Sequence, residues 1–530
     1  MSAKSVKQDR LAASEAKRDR KLREAQEAEK ARAKARAGWI TGIAIAVLAV
    51  LLMVLVNTGL IFRCTTALKV NDKSYSPAEV NYFYGSEYNR VASTYGSYAA
   101  YFGYTGLDTS GDIAALKDQE YGVDDSFATW KDYFLNAAKE QIRSFQALYD
   151  YATANGASLS EQEIAEIDSQ LADLDQQVRD GGWKSLDNYF SSRFGKGVTA
   201  KVARECELFK ALAQKGYDLG AEQFTYTDEE LVAYYDSLEG ESDKYNYWYY
   251  YLAAETVDSE PDADGNTTSE VTDETMAEAQ RKANNIVNAF SSRIPEEGLE
   301  GTDSCEGYFN SAISSQVTAE CIPMKNTAAS SVNTEYKDWI TDAQRSFGDI
   351  SVFPNSSGTG YNIVVFGSHD DNHYPTVSVR HILIKAAEDE NGAFSDEALA
   401  AAEAKAQEIL EQWKAGEATE ESFAALAEEY SEDGGSNTNG GLYENIYKGQ
   451  MVEPFDEFCF AGHKYGDTTV VTATTGGYAG AHVIYYIGEG ELYSNYIARQ
   501  DKLEADTSAW YDSLMLNYEA KNGAAYHLAG

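Results

Sequence analysis

The fold is decided by the stretch from Val377 to Gly488, which opens with Ser378-Val379-Arg380-His381-Ile382-Leu383-Ile384-Lys385 and closes with Gly480-Ala481-His482-Val483-Ile484-Tyr485-Tyr486. In both runs apolar side chains flank one histidine, a pattern typical of a β-strand. Between them lie a predicted long helix, the run from Phe423 to Asp433, a glycine-rich loop and the segment Met451-Val452-Glu453-Pro454-Phe455. The order predicts an α+β domain with one histidine on each of two strands.

Length, charge and cysteine content limit the function classes. A chain of 530 residues is too long for one hydrophobic core, so three or more domains are expected. Its formal net charge of −41 disfavours nucleic acid as a partner, because phosphate would be repelled. The five cysteines form no CxxC motif or Cys/His cluster, so neither a metal site nor a cofactor is predicted. Cys305 and Cys321 either pair in an oxidising compartment or stay free thiols.

The N-terminal region predicts a membrane anchor. Residues 1–38 form a basic arm with 12 Lys/Arg against 6 Asp/Glu, a net charge of +6. Residues 39–62 carry no charge over 24 positions, enough helix to cross a bilayer with some tilt. The positive-inside rule puts the arm in the cytoplasm and the bulk of the chain outside. The alternative is a cleaved signal peptide, although the arm is long and no small-x-small site follows.

Residues 63–240 predict a helical domain, since most of this region carries apolar residues at helical spacing. Its many tyrosines suit either a peptide-binding surface or core packing plus a loop, and the sequence leaves both open: Tyr82, Tyr84, Tyr88, Tyr95, Tyr98, Tyr101 and Tyr104. Residues 491–530 carry another amphipathic helix, which needs a partner face.

Residues 243–370 look like a degenerate copy of the stretch from Val377 to Gly488. Both begin with a strand-like run, continue into a helix and end with a Gly-Asp turn before a last strand. The turn is Gly348-Asp349 in the copy and Gly466-Asp467 in the original.

Neither histidine survives in the copy. Trp248 falls near the position of His381, and Asn362 falls near that of His482. The copy is therefore predicted to be inactive and to serve as a spacer or a binding surface.

An ordered set of motifs resembles the parvulin-type peptidyl-prolyl cis-trans isomerases. The motifs are His381, Asp433 within Tyr430-Ser431-Glu432-Asp433, Asn439-Gly440-Gly441, Met451-x-x-x-Phe455, Gly466-Asp467 and His482. The order of anchor, helical block and isomerase-like unit is similar to that of PrsA/SurA-type foldases. The resemblance implies a parvulin domain at 375–490, built as a small antiparallel sheet flanked by helices. It also implies that 63–240 is a chaperone-like domain onto which the helix in 491–530 folds back.

Two segments depart from the family pattern. Where the family commonly has Gly-Gly-Asp-Leu-Gly, this chain has Gly440-Gly441-Leu442-Tyr443-Glu444, without the aspartate. The family's Gly-Tyr-His becomes Gly477-Tyr478-Ala479-Gly480-Ala481-His482, which is either a three-residue insertion or a realigned turn.

Rotation about an X-Pro bond crosses a barrier of about 18–20 kcal/mol but breaks no bond. A catalyst therefore needs an apolar cup for the proline ring and a polar surface that favours the twisted amide. The resemblance implies that His381 and His482 lie side by side at the sheet centre and that Asp433 lies beside the substrate carbonyl. These three are the predicted catalytic residues. The predicted substrate-binding residues are Leu383, Met451, Phe455, Phe460 and Ala481.

The sequence thus predicts a membrane-anchored, extracytoplasmic isomerase and foldase for secreted or surface proteins. Its predicted partners are unfolded or newly secreted polypeptides with X-Pro bonds, and a lipid bilayer through residues 39–62. One alternative is a non-catalytic, membrane-anchored holdase that uses its parvulin-like domains as clamps. Another is a cell-surface scaffold or adhesin. A homodimer is compatible with the sequence, which does not fix the oligomeric state.

Overall fold

The computed structural model describes residues 59–258, 267–293, 301–389, 392–475 and 477–530, and before these only 17–18, 20–23, 26, 29–30, 32, 34, 36, 38–50 and 53. The chain divides into two compact units, one formed by residues 1–224 with 506–530 and the other by residues 225–505. Much of the predicted basic arm lies outside the described residues.

The structure corrects the predicted transmembrane helix at 39–62. Residues 38–50 are helical, yet none of the helices in the described ranges has both the length and the apolar character needed to cross a membrane. At the end of the predicted span a new short helix, α1 (Leu60–Cys64), begins after Gly59, whose φ of 67° is left-handed. Phe62 is buried in the core of the first unit. Residues 51–52 and 54–58 of this span lie outside the described residues.

The first unit is mainly helical. After α1 its elements are β1 (Leu68–Val70), β2 (Lys73–Tyr75), α2 (Pro77–Tyr95), α3 (Trp130–Ala154), α4 (Glu161–Asp180), α5 (Leu186–Arg193) and α6 (Ala200–Glu222). Helices α2, α3 and α4 each begin with a capping box, in which the side chains at the cap and three residues later satisfy each other's backbone N–H groups.

The tyrosines of the first unit divide between core and surface. Tyr82, Tyr84 and Tyr88 are buried in its hydrophobic core, whereas Tyr98 and Tyr101 are 66% and 86% exposed. Core packing therefore holds for the buried tyrosines, whereas Tyr98 and Tyr101 lie on the surface.

The C-terminal residues complete the first unit. Strand β13 (Ala520–Asn522) pairs antiparallel with β1, so that Lys521 lies opposite Lys69. The Tyr511 hydroxyl donates a hydrogen bond to Ser144 Oγ at 2.6 Å. Residues 506–530 thus share one core and one sheet with the helical block.

The second unit contains two α+β domains. The first has α7 (Asp228–Ser237), β3 (Lys244–Ala253), β4 (Thr256–Asp258), β5 (Ser269–Val271), α8 (Asp273–Ser291), α9 (Gly301–Ser314), β6 (Ile322–Ala328), α10 (Lys337–Ile340), β7 (Ile350–Pro354) and β8 (Gly360–Asp370). The second has β9 (Pro375–Lys385), α11 (Asp396–Ala415), α12 (Glu420–Tyr430), β10 (Leu442–Ile446), α13 (Glu453–Cys459), β11 (Thr468–Thr474) and β12 (Ala479–Leu492). Helix α14 (Tyr493–Met515) follows, with residues 493–505 in the second unit and residues 506–515 in the first.

Helix α7, which the sequence assigns to the helical domain, belongs to the second unit. Its side chains Leu231 and Tyr235 form a small core with Ala498 of α14.

The two domains share one sheet topology. Their four-stranded antiparallel sheets have the orders β6-β3-β8-β7 and β10-β9-β12-β11, which match strand for strand. The Gly-Asp turns also match, since the N–H of Gly348 donates to Phe366 O at 2.8 Å and that of Gly466 donates to Tyr486 O at 2.9 Å. The two sheets thus share both their strand order and this turn.

The strand register fixes which residue of the copy stands at each histidine position. Tyr249 pairs with Val364 as His381 pairs with Ile484, so Tyr249 stands at the position of His381. Trp248, the residue predicted there, is one position away and faces the opposite side of the sheet, where it packs in another core. A shift of one residue along a strand reverses the face.

The second histidine position is the one expected. Asn362 pairs with Phe353 across β8 and β7, and His482 pairs with Val471 across β12 and β11. Asn362 therefore stands at the position of His482.

Candidate active site

Two buried histidines meet on one face of the second sheet. His381 on β9 and His482 on β12 are 4% and 5% exposed. In the register of these neighbouring strands His482 lies opposite Leu383, two residues from His381, so side-chain alternation puts all three on one face. The two Nδ1 atoms are 3.4 Å apart.

A hydrogen-bonded chain runs through the histidines. At one end, His381 Nε2 lies 3.0 Å from Asp433 Oδ2. At the other end, the Tyr478 hydroxyl lies 3.0 Å from His482 Nε2. The carboxylate can only accept, so His381 Nε2 carries a proton and, in the neutral ring, His381 Nδ1 accepts one from His482 Nδ1. His482 Nε2 is then the acceptor for the Tyr478 hydroxyl. Asp433 thus fixes the tautomer of His381, and the contacts with His381 and Tyr478 together fix that of His482.

Asp433 is held by several donors in the loop after α12. The Ser436 hydroxyl donates to Oδ2 at 2.5 Å, the Tyr443 hydroxyl donates to Oδ2 at 3.1 Å, and the Gly435 N–H donates to Oδ1 at 3.2 Å. The hydrogen bond with His381, aided by those from Ser436 and Gly435, holds the pKa of Asp433 well below its usual range. The carboxyl group is therefore ionised at neutral pH, with 20% of the side chain exposed.

His482 is neutral at physiological pH. Burial, followed by the charge of His381, lowers its pKa to about 4. A neutral ring matches the role of acceptor for the Tyr478 hydroxyl.

An apolar wall lies beside this chain. Met451, Phe455 and Phe460 belong to one hydrophobic cluster with residues of β9 and β12. The Phe455 ring contacts both imidazoles edge-on, with centroids 5.5 Å from His381 and 5.4 Å from His482. Phe455 is fully buried, whereas Met451 and Phe460 are half-buried and can contact a ligand.

One predicted binding residue is on the wrong face. Ala481 precedes His482 on β12, so alternation turns it to the opposite side of the sheet, where it is fully buried in the core with Ala406 and Leu410 of α11. Its prediction as a substrate contact is corrected for this reason. Leu383 lies on the histidine face and is 7% exposed.

The glycine-rich loop is shaped to reach β9. Gly441 accepts a hydrogen bond from the His381 N–H at 2.8 Å. Its φ is +72°, and a Cβ there would lie 2.2 Å from the His381 carbonyl oxygen. Glycine is therefore required for the loop to carry Asp433 and Ser436 next to His381.

Sequence reasoning missed three hydroxyl groups of the site, those of Ser436, Tyr443 and Tyr478. Tyr443 and Tyr478 both lie in the segments that depart from the family pattern. The departures themselves were the available signal, because each places a phenol against a predicted catalytic side chain.

Across the described ranges, no group of three or more His, Cys, Asp or Glu side chains is arranged to hold a metal ion. All five cysteines are free thiols, and Cys305 and Cys321 are both buried.

Comparison with known proteins finds similarity in the region of this site. Residues 361–485 match the family of the PPIC-type PPIASE domain. Foldase protein PrsA 1 of Listeria innocua is 29% identical over 180 residues, which are 30% of this chain and 53% of the relative. Foldase protein PrsA 3 of Bacillus anthracis is 35% identical over 124 residues, 23% of this chain and 35% of the relative. This chain thus spans about half the length, or less, of these relatives.

Solved structures include further PrsA proteins. The crystal structure of PrsA from Bacillus subtilis is 13% identical, covers 73% of this chain and 88% of its own, and has a TM-score of 0.29. Together with the sequence relatives, the family match confirms the predicted resemblance to parvulin-type, PrsA-like foldases.

Proposed function

We propose that this protein is an extracytoplasmic peptidyl-prolyl cis-trans isomerase and foldase, acting on unfolded or newly secreted polypeptides that contain X-Pro bonds. The observation that carries this function is the ionised Asp433 at the end of a buried two-histidine chain, next to the wall of Met451, Phe455 and Phe460. The location outside the cytoplasm is supported by the likeness to the PrsA foldases.

The half-buried Met451 and Phe460, with Phe455 behind them, would hold the proline ring. Asp433 would then lie beside the prolyl carbonyl. In the planar amide, resonance puts negative charge on the carbonyl oxygen, which a carboxylate repels. In the twisted transition state this charge is smaller, so the carboxylate disfavours the ground state relative to the transition state.

The histidines act as positioning residues in this mechanism. Their chain from Tyr478 to Asp433 holds the carboxylate at a fixed place on the sheet face. Burial excludes water from the rings and strengthens each contact.

The test is the rate of cis-trans isomerisation of a short proline peptide with the full chain. The double variant Asp433→Ala/Met451→Ala should lose at least about tenfold in kcat/KM, equivalent to about 1.4 kcal/mol of transition-state stabilisation. Glu457→Ala is the matched control, because it removes an exposed carboxylate from α13, the helix that carries Phe455. Equal rates for the wild type and the double variant would refute catalysis at this site.

A non-catalytic holdase is the second candidate function. It is favoured by the exposed aromatic side chains Tyr98, Tyr101 and Phe102 in the first unit, which offer apolar surface to unfolded chains. A holdase should suppress aggregation of a denatured protein equally well after Asp433→Ala/Met451→Ala. A loss of suppression in parallel with the isomerisation rate would contradict it.

A further inference from the structure

The degenerate copy keeps the framework of the site but not its chemistry. The strand register puts Tyr249 and Asn362 where the active domain has His381 and His482. The carboxamide of Asn362 has no titrating proton, and the phenol of Tyr249 lacks the two ring nitrogens through which an imidazole donates and accepts. The hydrogen-bonded chain that positions Asp433 therefore has no counterpart at these two positions.

Asn362 is committed to a different partner. Its Nδ2 donates to Glu335 Oε2 at 2.6 Å, and Glu335 Oε1 accepts the Ser356 N–H at 2.5 Å. Asn362 is 5% exposed, so the pair closes the polar floor of the face. What remains available to a ligand is the ring surface around it.

That surface is aromatic. Tyr249, Tyr336, Trp339 and Phe353 pack in one cluster. Ring centroids are 6.5 Å apart for Tyr249 and Tyr336, 6.1 Å for Tyr336 and Phe353, and 5.7 Å for Trp339 and Phe353. Tyr336 is buried as a floor, whereas the other three rings are half-buried.

A fifth ring carries a fixed hydroxyl. Tyr251 lies two residues after Tyr249 on β3, so both side chains point to the same face. Its hydroxyl accepts from Asn355 Nδ2 at 3.2 Å and lies 2.7 Å from Thr359 Oγ1. A phenol held in this way can present its proton to a peptide carbonyl without losing much rotational freedom.

We infer that the aromatic face formed by Tyr249, Tyr251, Trp339 and Phe353 is a second, non-catalytic binding site for extended polypeptide segments that contain proline. Such segments adopt the polyproline II conformation, whose exposed pyrrolidine rings pack against flat aromatic side chains and leave carbonyls free for hydroxyl donors. The choice of proline as ligand rests on the proposed function, because the face is the duplicated equivalent of the proposed isomerase site. Two sites on one chain would raise the local concentration of a client at the catalytic domain.

The test uses the full chain and a labelled twelve-residue peptide with three X-Pro bonds, followed by fluorescence anisotropy. With the isomerase site removed by Asp433→Ala/Met451→Ala, binding should persist within about fivefold of the wild type. Adding Tyr249→Thr/Tyr251→Thr should weaken the remaining binding at least about tenfold, since stacking surface is lost. Threonine is β-branched and, like the tyrosine that it replaces, favours the strand conformation.

Matched variants keep the result interpretable. Tyr249→Phe/Tyr251→Phe retains both rings and should bind within about threefold of the parent. If the threonine pair fails to melt like the parent, Trp339→Ala provides the same loss of ring surface outside the strand. Binding that vanishes with Asp433→Ala/Met451→Ala, is unaffected by both Tyr249→Thr/Tyr251→Thr and Trp339→Ala, or is equal for a peptide with alanine in place of proline would overturn the inference.

The two proposals fail separately. Tyr249→Thr/Tyr251→Thr alone should leave isomerisation of a tetrapeptide unchanged, because that substrate occupies only the site of Asp433. A chain that binds the long peptide through the aromatic face but isomerises nothing refutes the proposed enzyme activity and supports this inference. Isomerisation without binding at the face does the reverse.

Discussion

At the residue scale, the Tyr478 hydroxyl terminates the chain that fixes both imidazole tautomers. Tyr478→Phe removes the donor to His482 Nε2 and leaves the ring volume unchanged. The free acceptor frees His482 to take either tautomer, so the isomerisation rate should fall about threefold to tenfold, with a stability loss of about 1 kcal/mol. Nitrogen-15 NMR of the rings should show one tautomer in the wild type and a mixture in the variant. A rate loss without any change in the ring spectra would contradict this role.

The lowered pKa values of His482 and Asp433 predict a domain whose stability falls in acid. The pKa of His482 is lowered from 6.5 to about 4 in the folded chain, so between these pH values the unfolded chain binds a proton that the folded chain does not. Stability therefore falls as the pH drops from 6.5 to 4, by up to about 3 kcal/mol. Asp433 also has a lowered pKa, so its contribution is lost at still lower pH, below its usual range.

Hydrogen exchange of peptides from 375–490, measured in urea at pH 4 to 7.5, would test this dependence. His482→Gln should remove most of the slope of folding stability against pH between pH 6.5 and 4. His527 is exposed, so His527→Gln should leave this slope intact. An equal slope in both variants would exclude His482 as its source.

At the scale of elements, the glycine-rich loop controls whether Asp433 reaches His381. Gly441→Ala puts a Cβ into the His381 carbonyl at a left-handed φ, so it should destabilise the domain by about 2–4 kcal/mol and lower its activity. Gly434→Ala, seven residues earlier in the same loop, meets no atom within 4 Å and should be tolerated. Thermal melting of the two variants checks the difference. A Gly441→Ala protein as stable as Gly434→Ala would refute it.

Strand periodicity explains what the sequence predicted well and where it failed. The family resemblance implied that His381 and His482 lie side by side, and the register of β9 and β12 puts both rings on one face. Side-chain alternation along β12 turns Ala481 to the opposite face, and Trp248 lies one position away from the equivalent of His381 and so faces the other side of its sheet. Register depends on bulges and pairing partners, which a single strand does not reveal.

Contacts between elements were beyond sequence reasoning for a different reason. Tyr443 reaches Asp433 from β10, and Ser436 reaches it from within the loop. Such hydroxyl contacts depend on how the loop and β10 pack against the sheet in the folded domain, which the sequence alone does not show. At the end of the predicted membrane helix, the left-handed Gly59 precedes a separate short helix whose Phe62 is buried in the core of the first unit.

At the scale of the whole molecule, the first unit is closed by the last residues of the chain. Strand β13 covers β1, the Tyr518 hydroxyl donates to Asp150 Oδ2 at 3.1 Å, and the Gly530 N–H donates to Asn81 Oδ1 at 2.7 Å. These contacts join residues of the first unit that are separated in sequence by the whole of the second unit. The stability of the helical unit should therefore depend on residues that contribute nothing to the candidate active site.

Removal of residues 516–530 tests this dependence. The truncation exposes the edge of β1 and opens the buried site of Ala529, so the first unit should lose about 3 kcal/mol or more and melt roughly 5–10 °C lower. Isomerisation of a tetrapeptide should persist, because His381, Asp433 and His482 all lie in the second unit. Leu516→Ser, at a side chain that is 87% exposed, is the control and should melt like the wild type. Calorimetry and the rate assay on the same samples report on the two units separately. If the melting transition of the first unit is not shifted in the truncated chain, the C-terminal strand is dispensable.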